Sequence, residues 1–308
     1  MSAPVHESDI LIVGSIAFDS IETPAGRVER ALGGSATFAS VAASYFASPR
    51  IVAVVGDDFG DEHFAVLRRR GIDTTGIERI PGGSTFHWKG RYHDNMQDRD
   101  TLETRLNVFE GFDPDLSETY KRSSHVFLGN IHPALQAKII DEVESPRFVG
   151  MDTMNLWIAQ ALDGLKEVLR RVDLLFINDE ESRQLTGERQ IANAARAVMA
   201  MGPKFVVIKR GEHGALLFGR DFTRLAPAVL LPCVVDPTGA GDSFAGGFMG
   251  FVAGAGEVTP ASLTRAMRAG SAMASFAVER FSVDGLLDLD SSRISARLAE
   301  LESLCSLT

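Results

Sequence analysis

Residues 234–248 read VVDPTGAGDSFAGGF, and this stretch constrains the fold more than any other part of the chain. The apolar run from Val229 to Val235 predicts a strand, which leads through a glycine turn into a helix of small residues. Gly239 and Gly241 have no side chains, so backbone N–H groups at this turn can converge on an anion. The following helix points its positive end at the same place. The stretch therefore predicts an anion-binding turn at the end of a strand.

Asp242 stands at the start of that helix, where we expect its carboxylate to face a cavity. The helix dipole and the nearby amides favour the charged form, so we expect this side chain to stay ionised. If Asp242 only capped the helix, the neighbouring glycines and Asp236 would not be needed. A dinucleotide fingerprint would require glycine at position 244, which is Phe244, and the chain has no G-x-x-x-x-G-K-[ST] loop.

Glycine is over-used in this chain, and the excess is local. The 308 residues include 29 glycines, of which seven lie between Gly239 and Gly256. The spacing of Gly246, Gly250 and Gly254 predicts that this helix packs closely on the sheet. The glycine bias thus belongs to one turn and the helix behind it.

The composition is that of a globular protein, with 45% hydrophobic and 23% charged residues. The formal net charge of −10 argues against a duplex-binding surface, which needs clustered Lys and Arg. It also argues against docking on an anionic membrane. We therefore expect no nucleic-acid or membrane partner, although backbone amides can still hold a phosphate.

The two cysteines, Cys233 and Cys305, have no partner spacing typical of a disulfide framework or a zinc site. The first residues lack a basic segment followed by an apolar stretch, so we expect no signal peptide. The uncharged apolar run from Ser243 to Gly256 is fourteen residues and too short to span a bilayer. These features predict a cytoplasmic protein.

Short apolar strands alternate with helices along most of the chain. The strands are predicted at Ile10–Val13, Ile51–Val55, His125–Leu128, Arg147–Met151, Leu174–Ile177 and Phe205–Ile208. Such continuous apolar strands indicate a mostly parallel sheet with helices on both faces. We expect a single α/β domain over residues 1–308.

A second, smaller sheet is predicted from residues that alternate with period two. Residues 84–93 place Phe86, Trp88 and Tyr92 on one face, and residues 102–108 alternate again. Residues 21–31 form a third hairpin-like piece. These segments predict a lid formed by about residues 17–31 and 84–109. The aromatic face of this lid must be covered by another surface.

The chain resembles the ribokinase-like (PfkB) carbohydrate kinases, through DPTGAGDSFAGGF at 236–248 and GGSATF at 33–38. The resemblance implies a ribokinase-like doubly wound α/β fold, with helices on both faces of a mostly parallel sheet and a small antiparallel β-sheet lid. It implies an ATP-dependent kinase that transfers the γ-phosphoryl group to a hydroxymethyl group of a small sugar. A nucleoside acceptor, as in an adenosine-like kinase, is the alternative. A dinucleotide-dependent oxidoreductase and a non-catalytic relative fit the sequence less well.

By the same resemblance, Asp242 is the base that accepts the hydroxyl proton. The amides of Gly239, Ala240, Gly241 and Asp242 form the anion hole for the charge on the transferred group. Phosphoryl transfer has a loose transition state, so positioning and charge stabilisation supply most of the catalysis. A weak carboxylate base is then sufficient.

The resemblance also assigns residues to ATP and to metal ions. Those expected to bind ATP are Asn178, Glu181, Lys209, Gly211, Gly214 and Thr238. Glu181 is expected to hold Mg²⁺, through water, because magnesium keeps several waters. Each of the two segments also has a plain structural alternative. Residues 179–181 could simply be acidic residues in the first turn of a helix. Residues 209–214, where Lys209 replaces the usual threonine, could be an ordinary turn. A monovalent cation such as K⁺ near Asp236 and Thr238 is also implied.

On the acceptor side, the resemblance assigns Asp19, Gly33, Gly34, Ser35, Asn130, Asn155 and Asp242 to the substrate. Asp19 would accept hydrogen bonds from vicinal hydroxyls. Phe38 stands where the family usually has asparagine, and it either faces the substrate or packs in the core. The family's use of the lid between subunits predicts a homodimer through the lid sheet.

Overall fold

The computed structural model describes residues 8–305, and the strands within them are short. In chain order they are β1 (Asp9–Val13), β2 (Ala17–Thr23), β3 (Gly26–Gly33), β4 (Ser48–Gly56), β5 (Asp73–Ile80), β6 (Phe86–Tyr92), β7 (Arg99–Arg105), β8 (His125–Leu128), β9 (Phe148–Asp152), β10 (Leu174–Asn178), β11 (Phe205–Lys209), β12 (Ala215–Gly219) and β13 (Phe222–Ala226). The termini of the predicted domain, 1–7 and 306–308, lie outside the described residues.

Helices connect most of these strands. They are α1 (Ser35–Ala43), α2 (Asp61–Arg69), α3 (Glu118–Lys121), α4 (Pro133–Glu142), α5 (Asn155–Gln160), α6 (Leu162–Leu169), α7 (Asp179–Thr186), α8 (Ile191–Ala200), α9 (Ala240–Ala255), α10 (Pro260–Ala277), α11 (Asp284–Leu287) and α12 (Ser291–Ser303). Over residues 8–305, none of them has the length and apolar character that crossing a membrane requires.

The main sheet has nine strands in the order β13-β12-β11-β10-β9-β8-β1-β4-β5. The strands β11, β10, β9, β8, β1, β4 and β5 run parallel to one another. Strands β12 and β13 form an antiparallel edge next to β11. Separate apolar clusters cover the two faces: α1, α9 and α10 pack on one, and α4, α6 and α8 on the other. The predicted doubly wound α/β architecture is confirmed.

The strand predicted at Val229–Val235 is wrong, because the segment from Pro227 to Gly239 is irregular. Pro227, Pro232 and Pro237 each lack an N–H group, so a regular strand ladder cannot form there. One backbone contact anchors the segment, since the Val235 N–H donates to Val278 O at 2.8 Å. The anion turn therefore follows a loop.

The prediction that the glycine-rich helix α9 packs on the sheet through its glycines is also incomplete, because these glycines face another helix. A Cβ at Gly246 would lie 2.2 Å from Ala39 O, and one at Gly250 would lie 2.7 Å from Ala43 Cα. Both contacted residues lie at α1. Glycine thus lets α9 and α1 approach until their backbones touch along the middle of α9.

The lid is a four-stranded sheet in the order β3-β2-β6-β7. Its two outer pairs are antiparallel hairpins, and the central β2–β6 pair is parallel. The aromatic side chains of Phe86, Trp88 and Tyr92 face a cleft of their own chain. The expectation that something must cover this stripe is met within the chain, which removes that reason for a second subunit.

Candidate functional site

A cleft lies between the lid and the carboxyl ends of the parallel strands. Of the residues predicted for the site, those that line it are Asp19, Gly34, Ser35, Asn130, Asn178, Glu181, Lys209, Thr238, Gly239, Gly241 and Asp242. Parallel strands end at the same edge, and side chains that follow them therefore meet there. The carboxylates and the anion turn therefore surround the same cleft.

The other predicted residues do not line the cleft: Gly33, Ala240, Asn155, Gly211 and Gly214. Gly33 acts indirectly, since a Cβ there would lie 1.9 Å from Asp19 Oδ2. Gly214 has φ +76°, and a Cβ there would lie 2.1 Å from Ala226 O, so it serves the turn between β11 and β12. Asn155 is the first residue of α5, and Gly211 has φ +54° with open space around it.

The anion turn is shaped by Gly239, which has φ +73° and immediately precedes α9. A Cβ at this position would lie 2.4 Å from the ring of Phe38, which is fully buried in α1. Phe38 is therefore a core residue that packs against the turn, and it also lines the cleft. The amides of Gly241 and Asp242 belong to the first turn of α9, where N–H groups lack helical acceptors and can hold an anion.

The carboxyl of Asp242 does not stay fully ionised, contrary to our expectation. Its removal from water in the cleft raises its pKa to about 7, and the negative charge of Asp152 adds to this. The cations Lys209 and Arg99 act in the opposite direction but are outweighed. A carboxyl with a pKa near neutrality can accept a proton at neutral pH and is a stronger base than an exposed aspartate.

Asp19 is buried on lid strand β2, and burial raises its pKa to about 8. The charges of Asp236 and Asp242 contribute further, while the backbone N–H of Gly34 acts against the rise. In the ligand-free protein this carboxyl is mostly protonated at neutral pH, so it can both donate and accept hydrogen bonds.

Asn178 and Glu181 form a capping box at the start of α7. The Glu181 N–H donates to Asn178 Oδ1 at 2.7 Å, and the Asn178 N–H donates to Glu181 Oε2 at 3.0 Å. Burial raises the pKa of Glu181 to about 7. The capping role is thus real, and it orients a carboxylate at the edge of the cleft.

These residues fit a magnesium–nucleotide complex. Within residues 8–305, no group of three or more His, Cys, Asp or Glu side chains could hold a metal alone. Mg²⁺ typically binds one or two protein carboxylates together with phosphates and water. The Glu181 carboxylate would supply such a ligand, through water, and the turn at Gly239–Asp242 would supply the phosphate site.

The fit to a monovalent cation is poorer. Asp236 Oδ1 accepts the Thr238 N–H at 2.9 Å, and Asp236 Oδ2 accepts the Ser282 N–H at 3.3 Å. Because both carboxylate oxygens hold backbone N–H groups, Asp236 is committed to shaping the loop before the anion turn. No catalytic step here depends on a cation at this place.

Arg99 lines the cleft but was missed in the sequence, whereas Asp152, which directly follows the predicted strand Arg147–Met151, is a candidate of the sequence at this edge and also lines the cleft. Arg99 lies on lid strand β7, and its Cζ is 5.8 Å from the centre of the Trp88 ring. Asp152 ends β9 and accepts a hydrogen bond from Lys209 Nζ at 2.7 Å. Period-two alternation identifies the aromatic face of the lid, but no signal in the sequence shows that this face turns toward the main sheet.

Comparison with known proteins finds kinases that are similar to this chain in sequence or in fold. The cytidine kinase of Thermococcus kodakarensis is 31% identical over 246 residues, covering 78% of this chain and 87% of the relative. The adenosine kinase of Sinorhizobium meliloti has TM-score 0.79 at 18% identity, covering 96% of this chain and all of the other. The fructokinase of Vibrio cholerae O395, with fructose, ADP and calcium ion bound, has TM-score 0.78 at 18% identity and covers 95% and 99%. These two structures share the fold.

The family described as "pfkB family carbohydrate kinase" matches residues 8–288, which is most of the chain. The match includes both lid segments and the anion turn. The cleft residues described above, from Asp19 to Asp242, lie within it. The chain belongs to the pfkB family of carbohydrate kinases, whose members transfer a phosphoryl group to an alcohol.

Proposed function

We propose that this protein transfers the γ-phosphoryl group of ATP to the hydroxymethyl group of a nucleoside. The observation that carries the choice of acceptor is the position of Trp88, an aromatic platform in the cleft beside Asp19. A free sugar needs hydroxyl acceptors but no extended aromatic surface, whereas a nucleoside needs both.

Trp88 and Asp19 are register partners on the parallel strands β6 and β2, so both side chains point to the same face of the lid. The next residue on that face is Gly90, where a Cβ would lie 2.1 Å from Trp88 Cη2. The indole therefore lies along the strand above Gly90. Its Nε1–H donates to Thr101 Oγ1 at 3.4 Å, which holds the ring in this orientation. A nucleobase could stack on such a surface while its ribose reaches Asp19.

The proposed reaction uses the charges in the cleft. ATP would supply the γ-phosphoryl group and leave as ADP, and a magnesium ion held near Glu181 would neutralise part of the phosphate charge. The carboxylate of Asp242 accepts the proton of the acceptor hydroxyl. The amides of Gly241 and Asp242 stabilise the negative charge that develops on the transferred group. Asp19 orients the ribose through its hydroxyl groups.

Relatives support both acceptor classes and favour the nucleoside. The T. kodakarensis relative, at 31% identity, is a cytidine kinase. Sugar kinases appear at lower identity, for example the 2-dehydro-3-deoxygluconokinase of Dickeya dadantii at 25%. Cytidine is accordingly the first nucleoside to test, and a free sugar is the second candidate.

An ADP-release assay with cytidine, other nucleosides, pentoses, hexoses and sugar phosphates tests the proposal. We expect the highest kcat/KM with a nucleoside. In the Trp88→Ala variant, KM for that nucleoside should rise at least tenfold, because base–aromatic stacking contributes about 1–3 kcal/mol. The matched control is Lys89→Ala, on the opposite face of the same strand. A higher kcat/KM with a free sugar, or equal KM effects in the two variants, would contradict the proposal.

Three finer expectations remain proposals. A homodimer through the lid is supported by the exposed leucines Leu102 and Leu106 on and beside β7, an edge strand among the described residues. Sedimentation velocity tests it, and a monomer at micromolar concentration would exclude it. Potassium dependence is tested by replacing K⁺ with tetramethylammonium in the activity assay. Cytoplasmic location is tested by cell fractionation.

A further inference from the structure

We infer that Lys209 is a catalytic residue whose ammonium group completes the anion hole, and that Asp152 is the positioning residue that holds it there. This inference rests on the proposed phosphoryl transfer and deepens it. Four observations carry it: an ion pair across the sheet edge, the contact of the ammonium with the anion turn, the surrounding charges and the donors that remain free.

The ion pair crosses the carboxyl edge of the sheet. Lys209 ends β11 and Asp152 ends β9, with β10 between them. Lys209 Nζ donates to Asp152 Oδ2 at 2.7 Å, and the side chains are 17% and 5% exposed. Asp152 Oδ1 accepts the N–H of Thr153 at 2.9 Å, so the carboxylate itself is fixed by the backbone. Both charged groups are held in one geometry.

The ammonium group lies against the anion turn. A Cβ at Gly241 would lie 3.1 Å from Lys209 Nζ, and the next heavy atoms met would be Lys209 Cε and Cδ. Glycine at 241 therefore leaves the space that the ammonium occupies. The positive charge lies beside the same amides that begin α9, where the transferred phosphoryl group is expected to bind.

The charges around Lys209 keep it protonated. Burial alone would lower its pKa, but Asp152, Glu181 and Asp242 together raise the pKa above its usual value. An ammonium group has three donors, and Asp152 uses one of them. The others can reach phosphate oxygens at the turn. A full charge in a partly buried site stabilises a developing anion more strongly than a neutral amide does.

A purely structural ion pair would also be buried and well paired, so the test must separate the two roles. The chain offers a matched control in Lys204, at the other end of the β11 region, whose Nζ lies 2.7 Å from Asp173 Oδ1. Lys204→Met removes a pair of the same length away from the cleft. Lys209→Met leaves a buried carboxylate alone, so the Lys209→Met/Asp152→Asn double variant provides an uncharged pair that should fold.

The first readout is kcat with the best acceptor. We expect a loss of about 10²–10³-fold in Lys209→Met and in the double variant, as when one oxyanion donor is removed. KM for the acceptor should stay within threefold, and Lys204→Met should match the wild type. A kcat within threefold of the wild type in either Lys209 variant would overturn the inference.

The second readout is the acid limb of the kcat/KM–pH profile, which reports the titration of Asp242 in the free enzyme. The charged groups that act on Asp242 are Asp152 on β9, Lys209 on β11, Arg99 on β7 and Asp19 on β2. Lys209→Met removes a cation and should move the limb to higher pH. Asp152→Asn removes an anion and should move it to lower pH. Shifts in the same direction, or none, would overturn the inference.

The third readout does not need an acceptor. Aluminium fluoride mimics the transferred phosphoryl group, so it should tighten ADP binding to the wild type and to Lys204→Met but not to Lys209→Met, as measured by calorimetry. If this pattern holds while no acceptor is phosphorylated, the inference stands and the proposed acceptor fails. If a nucleoside is phosphorylated equally well by Lys209→Met, the proposed function stands and the inference fails.

Discussion

The hydroxyl of Thr238 donates a hydrogen bond of 3.1 Å to the phenolic oxygen of Tyr92, and thereby joins the lid to the anion turn. Tyr92 ends lid strand β6, and Thr238 directly precedes Gly239. A second bond joins the lid to the same loop, because the Thr23 hydroxyl donates to Val235 O at 2.8 Å. The lid position and the shape of the turn are therefore coupled.

Replacing Tyr92 with phenylalanine removes the lid–turn hydrogen bond and the hydrogen bond between its hydroxyl and Arg99. We expect Tyr92→Phe to raise KM for the acceptor about threefold to tenfold, because one neutral hydrogen bond contributes about 0.5–1.5 kcal/mol. The control is Tyr120→Phe, which removes another partly buried hydroxyl that bonds Thr75 at 2.9 Å, away from the cleft. Steady-state kinetics check this, and equal KM values in the two variants would contradict a role of the lid–turn hydrogen bond in acceptor binding.

The left-handed turn at Gly239 is predicted to be essential for activity rather than for stability alone. Gly256, at the other end of α9, has φ +66° and open space, so Gly256→Ala is a matched control. In both alanine variants, the left-handed backbone conformation lowers the free energy of unfolding by about 1–2 kcal/mol. Only in Gly239→Ala does the new Cβ also clash with the Phe38 ring, and we expect the kcat of this variant to fall at least a hundredfold. Comparable activity in the two variants would show that Phe38 does not shape the turn.

The contact between α9 and α1 predicts a large stability effect from one methyl group. Gly246→Ala places a Cβ 2.2 Å from Ala39 O, and overpacking of this kind costs about 1–3 kcal/mol. Gly164→Ala, on α6, is the control, since its Cβ meets only Pro133 Cβ at 3.6 Å. We expect it to stabilise by about 0.4–1 kcal/mol. Urea unfolding measures both, and a neutral Gly246→Ala would contradict the close packing.

The pH dependence of stability should reflect the raised carboxyl pKa values. The folded pKa of Asp19 is about 8, above the ordinary aspartate pKa of 3.8, so the folded state binds more protons between these values and loses stability as pH rises. Asp19→Asn should therefore raise the Tm of the ligand-free protein by a few degrees at pH 8.5, and by less at pH 5. The control Asp163→Asn changes an exposed carboxylate on α6. Equal gains at both pH values for Asp19→Asn would show that burial does not raise this pKa.

The sequence predicted the main sheet well, because its strands are buried on both faces and appear as continuous apolar runs. It failed at Val229–Val235, where apolar residues suggested a strand but three prolines prevent one. It also missed β5 and β13, whose half-exposed residues include charges such as Arg79 and Arg224, and β12, a short apolar run of five residues.

The site was predictable where one motif holds its residues close in sequence, as at Gly239–Asp242. It was not predictable where tertiary packing brings distant residues together. The Lys209–Asp152 pair joins strands 57 residues apart, and Trp88 reaches Asp19 only through the β2–β6 pairing. The ionisation of Asp242 was misjudged because the sequence shows the helix start but not the burial or the nearby Asp152.

The most direct test of phosphoryl transfer with Asp242 as base is ADP release by wild type and Asp242→Asn with the best acceptor of the panel. The account predicts that the wild type releases ADP in proportion to phosphorylated product, and that Asp242→Asn loses at least 10²-fold in kcat while still binding ADP. Glu180→Gln, an exposed acid on α7, should match the wild type. Equal rates of ADP release by Asp242→Asn and wild type would contradict the central claim.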